Sequence, residues 1–484
     1  MNNDKDSISA NLHMNSDDIR HNFSLAMSEM YQKEVPLYGD LIDLVTEVNA
    51  EVLAVQPIIK EQLSHTGELD RLSLERHGAI RLGTATELSI MRRLFAVMGM
   101  FPVGYYDLAP SGVPVHSTAF RAIDLLSLNK SPFRVFTSLL RLDLINDEAL
   151  KQEASKALQQ RNIFTKNAIK LIEIFETEGG LTKDQGNQFV IEALETFRWH
   201  DKTPISKELY QRLLKQHGLI ADVVGFKGPH INHLTPRTLD IDAVQQGMQA
   251  RGIPPKAIIE GPPKRDCPIL LRQTSFKALQ EPVSFKNSTN DSEKCEDNYE
   301  LGQHTARFGE IEQRGVALTS KGRALYDKLL NEARNQLGVT PSEANASQYY
   351  QILEKAFSAF PDDYQTLHSE GLAYFYYQPV DNGNADLQLT SLEMVESKSA
   401  IIELIEKNVI RIEPIVYEDF LPASAAGIFQ SNLRDDKQSS YEGSSNQQEF
   451  ETALGTNVQD ELVLYETTQA QSLQDCFVAL QKTA

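Results

Sequence analysis

Hydrophobic positions near the start of the chain repeat with the period of an α-helix. The apolar residues at 19, 23, 27 and 30 predict a helix over 16–31, with Ser16 or Asp17 as its N-cap. A second helix is predicted over 37–48, where leucines and valines again fall on one face. The chain therefore begins with two amphipathic helices, each of which needs a core to pack against.

The pattern changes at RHGAIRL, residues 76–82, where a short apolar run interrupted by charged positions predicts a strand. Thr84, followed three residues later by Glu87, predicts a capping box at the start of the next helix. Two strands joined by a turn are predicted over 101–123, and a further strand is predicted near 133–145. This part of the chain therefore has the order strand, helix, strand, strand, and it ends with the further strand near 133–145.

A similar order of elements returns after a stretch at 146–218 whose spacing is mostly helical. The predicted elements are a strand at 231–237 (INHLTPR), a helix capped by Asp240 or Asp242, a strand at 268–279, a loop at 284–300 and a strand at 305–318. No sequence identity at a fixed period accompanies the repetition, so we interpret it as a weak structural repeat interrupted by a helical insertion.

Composition and charge limit the possible functions. The chain has 484 residues, of which 41% are hydrophobic and 24% are charged, so a folded protein with a substantial core is expected. A net charge of −20 without a basic cluster argues against nucleic-acid binding and against binding to a membrane surface. A small anionic substrate is still compatible with this charge, because a local arginine can dominate inside a low-dielectric pocket.

The cysteines and the N-terminus suggest a compartment. Cys267, Cys295 and Cys476 are widely spaced and odd in number, which suggests neither a disulfide framework nor a CxxC metal site and fits a reducing environment. Residues 1–15 are polar, without the apolar region of a signal peptide, and predict a mobile leader on a cytoplasmic protein. The motifs of nucleotide-binding and serine-hydrolase sites do not occur in a meaningful context.

Histidines within two predicted strands give the clearest chemical signal. A single histidine in an apolar strand is more often a hydrogen-bonded core residue than a ligand. Here His77 and His233 lie in separate strands, and a third strand, RFGEIEQR, places Glu310 and Glu312 on one face. Two imidazoles and one carboxylate form the facial site of non-haem Fe(II) oxygenases, but they also bind Zn²⁺ in hydrolytic sites. A simpler interpretation pairs both glutamates with neighbouring arginines at a sheet edge.

Arg81 follows His77 by four residues and lies on the same face of a regular strand. Its guanidinium could hold a substrate carboxylate through two hydrogen bonds, or it could form an ordinary salt bridge with an acidic neighbour such as Glu75. Spacing alone does not distinguish the two roles. Weaker candidates for the same cavity or its surroundings are His116, His200, His230 and His304.

Several long stretches resemble the 2-oxoadipate dioxygenase/decarboxylase family, also called hydroxyglutarate synthases, and together they span nearly the whole chain. They are VPLYGDLIDLVTEVN, ERHGAIRLGT, RRLFAVMGMFPVGYYDL, GVPVHSTAFR, GFKGPHINHLTPRTLDID, HTARFGEIEQRGVALT and EDFLPASAAGIFQSNL. The resemblance implies an α+β fold of the vicinal-oxygen-chelate-like type, in which a curved mixed β-sheet surrounds a metal site and is enlarged by helical insertions.

The resemblance also implies a domain organisation. After the leader at 1–15, residues 16–484 are expected to form a single enlarged catalytic domain. Its parts are a first βα module at about 70–145, a helical insertion at about 146–218, a second βα module at about 225–320, and C-terminal helices and strands at about 321–484.

The implied enzyme uses Fe(II) to convert 2-oxoadipate and O₂ to D-2-hydroxyglutarate and CO₂ in lysine breakdown. Its partners would be a small 2-oxo dicarboxylic acid and O₂, with neither a nucleic acid nor a membrane. The metal histidines correspond to His77 and His233. The carboxylate ligand is assigned to Glu310, since FGEIEQR also resembles the ligand-bearing strand of 4-hydroxyphenylpyruvate dioxygenases, with Glu312 as the second choice.

The substrate-binding residues also come from the resemblance. Arg81 is assigned a catalytic role in which it binds the distal carboxylate of the substrate. Ala423 and Ser424, in LPASAAG, are expected to line the substrate pocket. A valine is usual where Ala423 stands, so the pocket is expected to be slightly looser here.

Two other classes of function are open at this point. A metal-dependent lyase or isomerase on the same scaffold would use Zn²⁺ or Mn²⁺ as a Lewis acid without O₂. A metal-free binding module would use its histidines only for packing. Oxygen consumption separates the first alternative from the dioxygenase, and stoichiometric metal separates the second.

Overall fold

Short strands and longer helices alternate along the chain, as expected for the α+β class. A computed structural model describes residues 13–287, 299–380, 398–421 and 446–483. The helices are α1 (Ser16–Glu34), α2 (Pro36–Val55), α3 (Pro57–His65), α4 (Glu68–Arg71), α5 (Ala85–Val97), α6 (Leu125–Lys130), α7 (Glu148–Gln159), α8 (Lys166–Glu178), α9 (Lys183–Leu194), α10 (Lys207–Gln216), α11 (Gly218–Gly225), α12 (Ile241–Ala250), α13 (Ser320–Leu337), α14 (Ala346–Phe357), α15 (Tyr364–Ser369), α16 (Lys398–Glu406), α17 (Gln447–Leu454) and α18 (Glu461–Thr483).

Within the described ranges, the strands are fewer than the helices. They are β1 (Arg76–Leu82), β2 (Phe101–Asp107), β3 (Val115–Arg121), β4 (Phe133–Leu140), β5 (Lys202–Thr203), β6 (Leu234–Pro236), β7 (Leu271–Ser275), β8 (Gln280–Lys286), β9 (Tyr299–Thr305), β10 (Glu310–Arg314), β11 (Phe375–Pro379) and β12 (Ile410–Pro414). The predicted strand at 76–82 and the strand-turn-strand at 101–123 are confirmed.

The largest sheet has the strand order β2-β3-β4-β1-β6. β1 pairs in parallel with β4 and antiparallel with β6, so both of its edges are hydrogen-bonded. β10 and β7 form a separate antiparallel pair. A bridge between Arg237 and Glu312 joins the end of β6 to β10, and the amide of Thr238 donates to the Glu312 carbonyl at 2.8 Å. The two sheets therefore meet along β6 and β10.

The backbone at β1 can approach its neighbour closely because of a glycine. A Cβ at Gly78 would lie 2.5 Å from Ile231 Cδ1 and 3.4 Å from the His233 carbonyl oxygen. A larger residue would push β1 away from the segment that carries His233. Gly78 therefore allows the residue before it, His77, to reach the same space as His233.

Two predictions about strands are wrong in detail. INHLTPR was expected to be a strand throughout, but β6 covers Leu234–Pro236, and His233 lies in the extended segment just before it. The predicted loop at 284–300 is also too long, because β8 runs to Lys286 and β9 starts at Tyr299. In both places, pairing with a neighbouring segment decides where the strand ends, and local composition does not contain that information.

Two predicted helix caps also differ. The N-cap of α1 is Asn15, whose side chain accepts from the amide of Asp17, so neither Ser16 nor Asp17 caps this helix. Thr84 does cap α5, but Glu87 accepts from the amide of Gly83 and pairs with Arg161, so the capping box is not completed. The competing partner of Glu87 comes from a distant part of the chain and cannot be read from local sequence.

One of the hydrophobic clusters in the described residues lies between the first helices and the main sheet. Phe23 of α1 packs edge-to-face on Phe133 of β4 and on Phe197, with ring centroids 5.8 and 5.4 Å apart. Burial of these rings stabilises the sheet from one side. Within the described ranges, no helix combines the length and apolar character needed to cross a bilayer.

Candidate metal centre

His77, His233 and Glu310 converge in one buried place, where one potential ligand atom of each lies within 4.8 Å of those of the others. His77 Nε2 is 3.2 Å from Glu310 Oε1, and His233 Nε2 is 3.6 Å from Glu310 Oε2. The two imidazole rings lie edge-to-face with centroids 5.7 Å apart. The three predicted metal ligands therefore come from separate strands or strand ends and meet around a common point.

The segment that carries His233 is held between two others. On one side, the amide of Asn232 donates to the Ala79 carbonyl of β1 at 3.1 Å. On the other side, the amide of Phe308 donates to the Asn232 carbonyl at 3.2 Å. The Tyr31 hydroxyl of α1 lies 2.8 Å from both the Asn232 and the Phe308 carbonyl oxygens. These contacts fix the backbone next to two of the three candidate ligands.

Glu310 and Glu312 have different neighbours although they are only two residues apart. Glu310 faces both histidines and accepts from Gln273 Nε2 at 2.9 Å. Glu312 Oε2 lies 3.2 Å from His77 Nδ1, on the other side of that ring. Metal-binding histidines commonly place their second nitrogen against a carboxylate, which orients the ring. The geometry favours Glu310 as the ligand and Glu312 as the residue that orients His77.

Glu312 is itself held by arginines. Arg314 Nε and Nη2 donate to its two oxygens at 2.8 and 3.0 Å, and Arg134 Nη2 lies 3.6 Å away. These residues belong to a buried network in which arginines and glutamates alternate. Its members are Arg71, Arg134, Arg237, Arg314, Glu68, Glu75, Glu312 and Glu418. Because each charge has an opposite partner, the network can be buried without leaving an uncompensated carboxylate.

The charges around the two histidines affect their pKa values in opposite directions. For His77, burial lowers the pKa, but the negative charges of Glu312 and Glu310 outweigh it and raise the pKa above its usual value. For His233, burial lowers the pKa to about 4, and the positive charges of His77 and Arg81 contribute in the same direction. Glu312 has a pKa well below its usual range because Arg314 and His77 outweigh the effect of burial. The site therefore combines two different imidazoles. Burial favours the neutral form of His233, whereas the neighbouring glutamates stabilise the protonated form of His77.

This donor set fits a divalent metal. Nitrogen and oxygen ligands that bind one ion at about 2.1 Å and at right angles to each other lie about 3 Å apart. The observed separations of 3.2 and 3.6 Å are close to that value. An isolated buried carboxylate between two imidazoles would also be costly without a cation. His77, His233 and Glu310 therefore have the chemistry and the spacing to hold a metal.

Arg81 lies near this centre, but its described ion pair is not with Glu75. Its Nη1 is 2.6 Å from Asp222 Oδ2, an aspartate of helix α11. The alternative that Arg81 forms a salt bridge with an acidic neighbour is therefore confirmed, although the partner is Asp222 and not Glu75. Glu75 instead contacts Arg134, Arg237 and other members of the arginine–glutamate network.

Asp222 brings a second group of titratable residues next to Arg81. Its Oδ1 is 2.9 Å from His304 Nε2 and 3.3 Å from His230 Nε2. Asp222, His230 and His304 are all buried, and one potential ligand atom of each lies within 4.8 Å of those of the others. Sequence analysis noted the two histidines only as weak candidates and missed Asp222 entirely.

Other candidates lie elsewhere or outside the described residues. His116 packs on Phe450, with ring centroids 4.7 Å apart, and burial lowers its pKa to about 4. Ala423 and Ser424, the predicted pocket residues, fall outside the described ranges. Sequence analysis also missed Lys256, whose ammonium lies 5.9 Å from the centroid of the Phe308 ring and whose pKa burial lowers to about 7.

Comparison with known proteins places the chain among enzymes of one kind. The sequence profile of the family described as 2-oxoadipate dioxygenase/decarboxylase matches residues 23–432. A protein of that name from Pseudomonas putida is 56% identical over 471 residues, which cover 97% of this chain and 98% of that protein. A protein of the same name from Escherichia coli is 51% identical over 461 residues, with 95% and 98% covered.

Solved structures agree with the sequence comparison. The crystal structure of the hydroxyglutarate synthase in complex with 2-oxoadipate from Pseudomonas putida matches with a TM-score of 0.86 at 55% identity, over 97% of this chain and 99% of that one. The match therefore extends over nearly the entire length of both chains. This protein belongs to the 2-oxoadipate dioxygenase/decarboxylase family.

Proposed function

We propose that this protein converts 2-oxoadipate and O₂ to D-2-hydroxyglutarate and CO₂ at an Fe(II) centre held by His77, His233 and Glu310. The observation that carries the proposal is the convergence of these three residues in a chain that matches named 2-oxoadipate dioxygenase/decarboxylases over nearly its whole length. A small 2-oxo dicarboxylic acid and O₂ are the proposed partners. The reaction balances without an added reductant, since loss of C1 as CO₂ and hydroxylation of the shortened chain together supply four electrons to O₂.

The proposed metal ligands have complementary tasks. His77 and His233 would bind as neutral imidazoles and Glu310 would supply negative charge, and a metal with only three protein ligands would keep further positions for small ligands. Iron, when bound, supplies the O₂ redox chemistry, which no protein side chain provides. Gln273 holds Glu310 and Glu312 faces the other nitrogen of His77. These contacts keep the ligands in one orientation and so reduce the rearrangement needed for binding.

Arg81 is the proposed substrate-binding residue. It follows His77 by four positions on β1, a distance of about 13 Å along a strand at about 3.3 Å per residue. A guanidinium can hold a carboxylate through parallel hydrogen bonds and stays charged when buried. Arg81 would hold the distal carboxylate while the 2-oxo acid end lies at the metal, so that chain length is measured between the two. Ala423 and Ser424 are proposed to line the same pocket.

We also propose the domain organisation, the type of fold and the cellular compartment of the protein. Residues 16–484 would form a single enlarged domain of the vicinal-oxygen-chelate-like type, with βα modules at about 70–145 and 225–320 and a helical insertion at about 146–218. Support comes from the meeting of β1, β6 and β10 at the candidate centre and from the helices α7 to α11 that separate β4 from β6. A cytoplasmic location is proposed from the reducing character suggested by its cysteines.

The proposed reaction can be tested directly. Purified protein is loaded with Fe(II) without O₂, and O₂ uptake is measured with an electrode after addition of 2-oxoadipate. We expect equal amounts of O₂ consumed, CO₂ released and D-2-hydroxyglutarate formed, and loss of all three in His233→Ala. Turnover that proceeds without O₂, or that Zn²⁺ supports equally well, would instead favour the lyase or isomerase.

A further inference from the structure

The ion pair between Arg81 and Asp222 connects the proposed substrate-binding residue to helix α11. Asp222 lies in α11, an eight-residue helix in which every residue is buried. Arg81 lies near the end of β1, in the main sheet. Their contact at 2.6 Å is a charge-assisted bond between two buried side chains.

The second carboxylate oxygen of Asp222 contacts His304, which in turn contacts Tyr210. His304 Nε2 lies 2.9 Å from Asp222 Oδ1, and Tyr210 Oη lies 2.7 Å from His304 Nδ1. One order of donors satisfies every atom: the Tyr210 hydroxyl donates to Nδ1, and Nε2–H donates to the carboxylate. In this arrangement both Asp222 oxygens face donors, Arg81 Nη1 at one and His304 Nε2 at the other.

Aromatic packing fixes the rings of this network. Trp199 stacks on His304 with ring centroids 6.1 Å apart and lies edge-to-face on His230 at 4.7 Å. The Arg307 guanidinium lies over the Trp199 ring, 4.3 Å from its centroid. Buried rings in such contacts have few alternative rotamers, so the position of Asp222 is well defined.

We infer that Asp222 is a positioning residue that aims the Arg81 guanidinium at the distal carboxylate of the substrate, with His304, His230 and Tyr210 holding Asp222 in place. The inference rests on the substrate-binding role proposed above for Arg81. A guanidinium is a rigid planar fork, so the contact of Nη1 with Asp222 sets the orientation of the whole group. Helix α11 thereby contributes to substrate selection although it supplies none of the three proposed metal ligands.

A second metal at Asp222, His230 and His304 is the competing interpretation, because the residue types match a metal site. The position of Arg81 argues against it. A cation bound to Asp222 would lie close to a permanently charged guanidinium, and its repulsion is strong in a buried environment. The carboxylate is also already neutralised by that guanidinium.

The test compares two substrates that differ only at the far end. Fe(II)-loaded protein is titrated calorimetrically without O₂ with 2-oxoadipate and with 2-oxohexanoate, which has the same chain length but no distal carboxylate. In Asp222→Asn we expect 2-oxoadipate binding to weaken about tenfold or more and 2-oxohexanoate binding to change less than about threefold. KM for 2-oxoadipate should rise by a similar factor while metal content stays unchanged, and Asp222→Glu should recover part of the loss.

Matched variants keep the test decisive. Asp17→Asn removes another aspartate that pairs with a buried arginine, Arg20 at 2.8 Å, and should leave the ratio of the two affinities unchanged. His304→Phe keeps the ring and removes both of its hydrogen bonds, so it should shift the ratio in the same direction by a smaller factor, and it serves if Asp222→Asn fails to fold.

Three results would overturn the inference. Equal weakening of both acids would mean that Asp222 acts only on the fold. Tighter binding of 2-oxoadipate would mean that Asp222 mainly competes with the substrate for Arg81. Loss of one metal equivalent in Asp222→Asn would mean a second cation site. Failure of the wild-type protein to bind or turn over 2-oxoadipate would instead count against the proposed function itself.

Discussion

Two buried clusters in this protein have the same ligand types, two imidazoles and one carboxylate, and different surroundings. His77, His233 and Glu310 form one, and Asp222, His230 and His304 form the other. In the first, the ligand carboxylate accepts from a neutral amide, and a separate glutamate faces the second nitrogen of a histidine. In the second, the carboxylate is paired with Arg81. If only the first cluster holds a metal, as proposed, the charges next to the ligands decide whether a cation is favoured, and the ligand types alone do not.

The largest expected difference between the clusters is in metal binding. His233→Ala should lose stoichiometric metal, because two remaining ligands cannot hold a divalent ion at a buried site with comparable affinity. His304→Phe, which changes the other cluster, should retain it. Both are measured by elemental analysis of metal-loaded, desalted protein. Loss of metal in His304→Phe with retention in His233→Ala would reverse the assignment.

The arginine–glutamate network next to the first cluster should contribute strongly to the stability of the fold. Arg134 contacts Glu75 and Glu418 behind the metal centre, so Arg134→Met would leave buried carboxylates without a partner. We expect the free energy of unfolding to fall by about 3–5 kcal/mol, measured by denaturant titration. Arg93→Met, which breaks the partly exposed pair with Glu176, is the matched control and should cost about 0–1 kcal/mol. Equal effects would show that the arginine–glutamate network does not carry this load.

Glu312 gives a sharper test of what distinguishes the metal centre. Glu312→Gln keeps the shape of the side chain but removes the charge that faces His77 Nδ1. We expect metal affinity to fall about 10- to 100-fold, as is typical when a partner of a metal-binding histidine is changed. The measurement is competition with a chelator at fixed pH. Loss of metal is expected for Glu310→Gln. Complete loss in Glu312→Gln as well would mean that Glu312 is a ligand.

The smallest expected effect concerns pH. Burial raises the pKa of Asp222, but His230 and Arg81 outweigh it and hold that pKa well below the usual value. Asp222 therefore contributes stability that is fully present above its unfolded pKa of about 3.9 and is lost as pH falls toward its folded pKa. Below pH 4, the unfolding free energy of the wild type should fall more steeply than that of Asp222→Asn, by at most about 1.4 kcal/mol per pH unit. Parallel slopes in denaturant titrations would contradict the pairing.

The sequence predicted the parts of the site that depend on local pattern. A short apolar run places His77 and Arg81 on one strand, and FGEIEQR places Glu310 and Glu312 on another, so both could be found without coordinates. The distinct roles of the two glutamates could not, because Gln273 and Arg134 reach them from distant parts of the chain.

Asp222 shows the limit more clearly. Its helix is apolar almost throughout, as is typical of a buried segment. Nothing in the neighbouring sequence indicates that its one carboxylate contacts Arg81, which lies much earlier in the chain. His230 and His304 were visible only as isolated histidines. Long-range pairing converts them into a network, and such pairing leaves no periodicity for sequence analysis to detect.

The joining of β6 to β10 has a consequence for how the protein is made. His77 and His233 leave the ribosome well before Glu310, which is residue 310 of 484, so two imidazoles are synthesised long before their carboxylate partner. Until then the nascent polypeptide lacks the carboxylate of the proposed ligand set, so we expect it to bind a cation only weakly. If His77, His233 and Glu310 hold the metal as proposed, metal acquisition is a late event in biogenesis, and it would report that the two sheets have docked.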